Sequence, residues 1–104
     1  MSKEAVSLQA PFNGAKVTVP SHVVHRSFPS ETVVLNLQTG KYHGLNPTAG
    51  AMLDALESSG SIADASAEVA DRFELPQETV EEDVVRLCAA LLERGLIGLD
   101  DEAP

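Results

Sequence analysis

The chain is poor in the residues that large cores and specialised chemistry draw on. It has no Trp, one Tyr and three Phe in 104 residues, so a core has to be built from Leu, Val, Ile and Ala. A single cysteine, Cys88, excludes an intramolecular disulfide and any zinc site made of several thiolates. No apolar run approaches the roughly 18 residues of a membrane span. The opening stretch MSKEAVSLQAPF lacks the apolar region of a secretory signal, so the expected compartment is the cytoplasm. There is no phosphate-binding loop, no glycine-rich dinucleotide fingerprint and no Gly-x-Ser-x-Gly elbow. None of these motifs argues for an enzyme, and no cofactor is expected.

Cations are also scarce, and they are unevenly placed. Residues 1–50 hold Lys3, Lys16, Arg26 and Lys41 against Glu4 and Glu31, whereas residues 51–104 hold three arginines against fourteen carboxylates. A net charge of −9 repels nucleic acid and anionic lipid over most of the surface. Its simplest role is solubility. An apolar content of 43% is nevertheless ordinary for a globular domain, and the length suits one domain.

The patterning changes half-way along. Residues 1–14, with Pro11 and Asn13-Gly14 as breakers, read as a flexible tail. Ala15 to Val19 alternates, and Pro20 ends it. His22 to Phe28 is a weaker extended segment. Thr32-Val33-Val34-Leu35-Asn36-Leu37 is the clearest strand, apolar enough to suggest that both faces are covered. Gln38 to Lys41 forms a hairpin turn with Gly40 free to adopt positive φ, and Tyr42 to Leu45 returns as a short partner strand.

A 3.6-residue period then takes over. Asn46-Pro47 is a helix start, with Asn as N-cap and Pro in the first turn. Ala49, Met52, Leu53 and Leu56 mark its apolar face, and Ser59-Gly60 ends it. Ser61 caps a second helix, with Asp64 as the acidic member of a capping box, and Ile62, Ala65, Val69 and Phe73 as its stripe. Thr79 and Glu82 have capping-box spacing for a third helix, with Pro76 as the alternative start. It runs to about Arg94, where Gly95 is the C′ glycine, and Leu96 to Leu99 packs back on the core. Asp100 to Pro104 reads as an acidic tail. The expected fold is α+β and winged-helix-like: a small three-stranded antiparallel sheet followed by a three-helix unit, spanning residues 15–99.

Candidate reactive groups have plainer explanations. Cys88 lies in Val84-Val85-Arg86-Leu87-Cys88-Ala89-Ala90-Leu91-Leu92, a setting in which the thiol packs as a small hydrophobe. His22 and His25 are three apart in an extended segment and point to opposite faces, so no metal site is expected. A winged helix suggests DNA, but the third helix carries Glu78, Glu81, Glu82, Asp83 and Glu93 against Arg86 and Arg94, and phosphate would be repelled. That helix is apolar over more than a core-facing stripe requires. Val80, Val84, Leu87, Cys88 and Leu91 form the stripe, and Val85, Ala89 and Leu92 lie beside it. Tyr42 to Leu45 is an expected sheet edge with unpaired backbone groups. An open edge beside an apolar helix is how a peptide adds itself as a strand.

The order Val33-Val34-Leu35-Asn36, Thr39-Gly40-Lys41-Tyr42-His43-Gly44-Leu45-Asn46-Pro47-Thr48-Ala49, Ile62-Ala63 to Phe73, and Val80 to Gly95-Leu96-Ile97 resembles the PqqD-like family. Its members are the leader-peptide recognition elements of ribosomally made, modified peptide (RiPP) pathways, and the likeness is greatest to the stand-alone leader-binding subunits of lasso-peptide biosynthesis. The resemblance implies a non-catalytic module whose partners are the leader segment of a precursor peptide and a leader protease of Cys type or another modifying enzyme. No nucleic-acid or membrane partner is implied. The leader would lie between the third strand and the third helix and extend the sheet. Carried onto this chain, the strand side is Lys41, Tyr42, His43, Gly44 and Leu45. The helix side is drawn from Asp83, Val84, Arg86, Leu87, Ala90 and Leu91. The alternatives are a winged-helix protein acting in transcription through protein contacts, and a chaperone for a radical enzyme.

Overall fold

A computed structural model describes residues 15–101. The proposed tail of residues 1–14 and the stretch 102–104 lie outside the described residues. The elements are β1 (Ala15–Thr18), β2 (Val23–Ser27), β3 (Thr32–Asn36), β4 (Tyr42–Leu45), α1 (Pro47–Ser59), α2 (Ile62–Phe73), α3 (Gln77–Glu93) and β5 (Gly98–Asp101). The fold is α+β, a three-stranded antiparallel sheet in the order β2-β3-β4 followed by three helices. A second, two-stranded sheet pairs β1 with β5, Val17 opposite Leu99 and Lys16 opposite Asp100.

Local sequence explains most boundaries. In the β3–β4 hairpin, Asn36 Oδ1 accepts from the backbone N–H of Gln38 at 2.8 Å and of Thr39 at 3.3 Å. Gly40, at φ 75°, then turns the chain back. Asn46 Oδ1 caps α1 by accepting from Ala49 N at 2.8 Å, and Ser61 Oγ caps α2 by accepting from Asp64 N at 3.2 Å. α3 starts at Gln77 with Pro76 as N-cap, so Thr79 and Glu82 lie inside the helix rather than at its start. Its end is a Schellman motif: Leu96 N donates to Leu91 O at 2.8 Å and Gly95 N to Leu92 O at 3.0 Å.

The core sits between the inner face of the main sheet and the helices. Val34, Leu53, Leu56, Val69, Val80, Val84, Val85, Cys88, Leu91 and Leu96 are all at 2% exposure or less. α1 is the central helix, packed on β1, β3, β4 and both other helices. It lies against the sheet at Gly50. A Cβ there would collide with the Oγ1 and Cβ of Thr32, a buried residue whose hydroxyl is fixed 2.9 Å from Ser27 Oγ. A second tie is polar: His25, on the inner face of β2, places Nε2 2.8 Å from Glu57 Oε1 and Nδ1 3.5 Å from Asp54 Oδ1, both on α1.

Three expectations need correcting. β3 is covered on one face only: Thr32, Val34 and Asn36 are buried, Val33 and Leu35 are half-buried, and Leu37 is exposed, because helices pack on a single side of the sheet. Phe73 leaves the α2 stripe. It is the last residue of the helix, followed by Glu74 in the left-handed conformation at φ 56°, and its ring lies exposed beneath the Arg72 guanidinium, 5.3 Å from it. Asp100 and Asp101 are not tail but part of β5, held by pairing with β1 rather than by any strand propensity of their own.

Gly50→Ala would raise helix propensity by about 1 kcal/mol at a permissive site. Here the pinned Thr32 decides the sign, and we expect a net loss of about 1–2 kcal/mol from overpacking. Leu53→Ala removes a fully buried side chain and should cost about 2–5 kcal/mol. Both are checked by urea unfolding; a stabilised Gly50→Ala would mean that α1 does not press on β3.

Candidate functional site

β4 is an edge strand, bonded only to β3, with Thr32 opposite Leu45, Val34 opposite His43 and Leu35 opposite Tyr42. At the turn, Asn36 N donates to Lys41 O at 2.9 Å. Antiparallel ladders alternate bonded and non-bonded pairs, so His43 and Leu45 spend their backbone groups on β3. The N–H and C=O groups of Tyr42 and Gly44 therefore point to the free edge. The side chains divide the same way. His43 and Leu45 are half-buried on the inner face, whereas Tyr42 is 71% exposed on the outer face, in one row with Val24 and Leu35. Lys41 and Gly44 are exposed.

The helix side of the predicted site splits into two groups. Asp83 and Arg86 are exposed and joined to each other, with Arg86 Nη1 donating to Asp83 Oδ1 at 3.2 Å. Leu87 and Ala90 are half-buried on the flank of α3. Val84 and Leu91 are core, at 0% and 2% exposure, and have no surface to offer a ligand. The helix is rotated from the expected stripe: Val85 is buried, and Leu87 moves to the margin. The accessible strip is thus Asp83, Arg86, Leu87 and Ala90, spaced to share one side of a helix. α3 packs chiefly on α2, while β4 rests on α1, so β4 and α3 have little direct contact.

Sequence reasoning did not reach Glu31. Its Oε1 lies 2.7 Å from where a Gly44 Cβ would stand, above the edge strand. No local motif signals this, because it depends on the register in which β3, which Glu31 directly precedes, pairs with β4. The outer row Val24-Leu35-Tyr42 was similarly hidden, although the period-2 alternation of β3 carried half of the signal.

Among the described residues no group of three His, Cys, Asp or Glu side chains could hold a metal ion, and no helix is long and apolar enough to cross a membrane. Burial pushes the Cys88 thiol up to about 12, which leaves it protonated at neutral pH.

A family model described as Coenzyme PQQ synthesis protein D (PqqD) matches residues 31–97, more than half of the chain. The chain belongs to the PqqD family. No curated protein matches it at a significant level. Among solved structures, this PqqD-family chain is similar to "TbiB1 in Complex with the TbiA(beta) Leader Peptide", at 26% identity and a TM-score of 0.69, covering 84% of this chain and 99% of the other. It also shares its fold with "Lasso peptide synthetase B1 complexed with the leader peptide", at 24% identity and a TM-score of 0.71, covering 81% and 99%. The matched family segment contains β3, β4 and all three helices, and therefore every residue of the candidate site.

Cys88→Ala should retain the fold but lose about 1–2 kcal/mol of stability, through the small cavity left in the core. A thiol reagent should label the native protein only at the rate of unfolding; fast labelling in native buffer would mean an accessible thiolate.

Proposed function

We propose that this PqqD-family chain is a non-catalytic module that captures the leader segment of a ribosomally made precursor peptide and presents it to a leader protease or another modifying enzyme. Lasso-peptide biosynthesis is the favoured pathway. The observation that carries the reading is the free edge of β4, where Tyr42 and Gly44 hold backbone donors and acceptors that β3 leaves unspent. The two solved structures of the same fold were both determined with leader peptides, which supports the reading. Capture and presentation require no reacting group, and the protonated, buried Cys88 offers none.

The mechanism follows from strand addition. An extended peptide laid along β4 bonds to Tyr42 and Gly44 and gains register without sequence preference. Its alternate side chains turn inward, toward His43, Leu45 and the Asp83-Arg86-Leu87-Ala90 strip. Each well-buried Leu- or Tyr-sized anchor contributes about 1.5–3 kcal/mol. Two or three such anchors offset the ordering of a disordered leader and bring affinity to the micromolar range, about −8 kcal/mol. Lys41 stands at the start of the strand, where it meets the end of the added segment.

Gly44→Pro tests the reading. The Gly44 N–H points to the free edge, so proline there removes a donor for the leader and leaves the β3 ladder intact. Titrating the leader segment of a precursor encoded beside the gene should give at least about tenfold weaker binding to this variant (~1.4 kcal/mol). Amide shifts in the parent should centre on residues 41–45 and 83–90. The opposite sheet edge, at Val23, His25 and Ser27, serves as the internal control. Equal binding by a folded Gly44→Pro, or shifts confined to β2, would exclude strand addition at β4.

A further inference from the structure

Glu31 ends in an uncommon place for a surface carboxylate. It precedes Thr32 in the β2–β3 hairpin, and its Oε1 occupies the space beside Gly44 that any other residue would fill with its own side chain. Gly44 shares the outer row with Arg26 and Val33, so the carboxylate lies on the outer face, over the backbone of the free edge. Glu31 is exposed and forms no ion pair among the described residues. Within residues 1–50 the only other acid is Glu4, so this negative charge is separate in sequence from the fourteen carboxylates of residues 51–104.

The geometry of an added strand brings this charge into play. A residue paired with Gly44 projects its side chain to the same face as Gly44 would. It meets no side chain from the glycine itself. It meets the Glu31 carboxylate, and two residues along the strand the exposed ring of Tyr42. A lysine or arginine satisfies both neighbours, laying its aliphatic stem beside the ring and its cation at the carboxylate. A glutamate or aspartate at that position faces like charge. We infer that Glu31 is a specificity residue that selects a basic side chain on the incoming leader at the position paired with Gly44; this rests on the strand-addition reading above.

The test is a charge scan. The leader segment used above is prepared as a series in which each residue in turn is Lys or Glu, and each peptide is titrated by calorimetry at low salt. One position should favour Lys over Glu by about fivefold to tenfold, and the preference should shrink at high salt. It should vanish with Glu31→Gln and invert with Glu31→Lys at that same position. Gly44→Ala provides an independent arm. Its methyl meets only the flexible end of Glu31, so the fold should be unaffected while the carboxylate is displaced and the preference falls. An identical Lys/Glu profile in the parent and in Glu31→Lys would overturn the inference. If the Tyr42 and Gly44 amides still shift in that case, strand addition stands without it. Failure of every peptide in the series to bind the parent would overturn both.

Discussion

The contact of Gly50 with Thr32 sets the rest of the architecture. Removing a side chain from the middle of α1 costs helix propensity, and the return is an approach close enough for the helix backbone to lie against β3. With α1 seated there, Leu53 and Leu56 reach the core, His25 meets Asp54 and Glu57, and the inner face of the sheet is closed. Because α1 also carries β4, the same contact fixes the free edge relative to the helices. It leaves α3 to be positioned through α2, so the strand and helix on which the proposed function depends are placed independently and can stand apart.

The sheet is consequently two-sided in character. Its inner face packs on α1, whereas the outer face presents Val24, Leu35 and Tyr42 in one row with the Glu31 carboxylate over Gly44. The helices carry most of the acidic charge, whereas Glu31 is the carboxylate that lies against Gly44 on β4. Overall charge governs solubility and encounter, while the placement of a single carboxylate governs which side chain is preferred at one register position.

What could be read from the sequence was local. Asn46-Pro47, Ser61 with Asp64, Gly40, Gly60 and Gly95 act within a few residues of chain, and each was legible because caps and turns are decided by near neighbours. The helix order and the Tyr42–Leu45 edge followed from periodicity. The rotation of α3 did not, because Val85 and Leu87 are equally apolar and only the packing of α2 decides between them. β5 was illegible for a related reason: Gly98-Leu99-Asp100-Asp101 has no strand pattern, and its pairing with a segment some eighty residues earlier supplies all of its order. Glu31 required the tertiary fold itself. Of the residues named for the candidate site, the placing of Tyr42 to Leu45 on an edge strand was readable from the turn and the alternation around it, whereas on α3 a burial map was needed to separate Val84 and Leu91 from Leu87 and Ala90.

The β1–β5 ladder has a consequence for how the domain can be joined to others. Ala15 stands directly opposite Asp101, so the two ends of the described fold are neighbours, about 5 Å apart at the backbone. A catalytic domain attached ahead of β1 or behind β5 would hang from the same corner. Both sequence orders of a fusion therefore give nearly the same three-dimensional arrangement, and a short loop closing Asp101 to Ala15 would make the unit a natural subject for circular permutation.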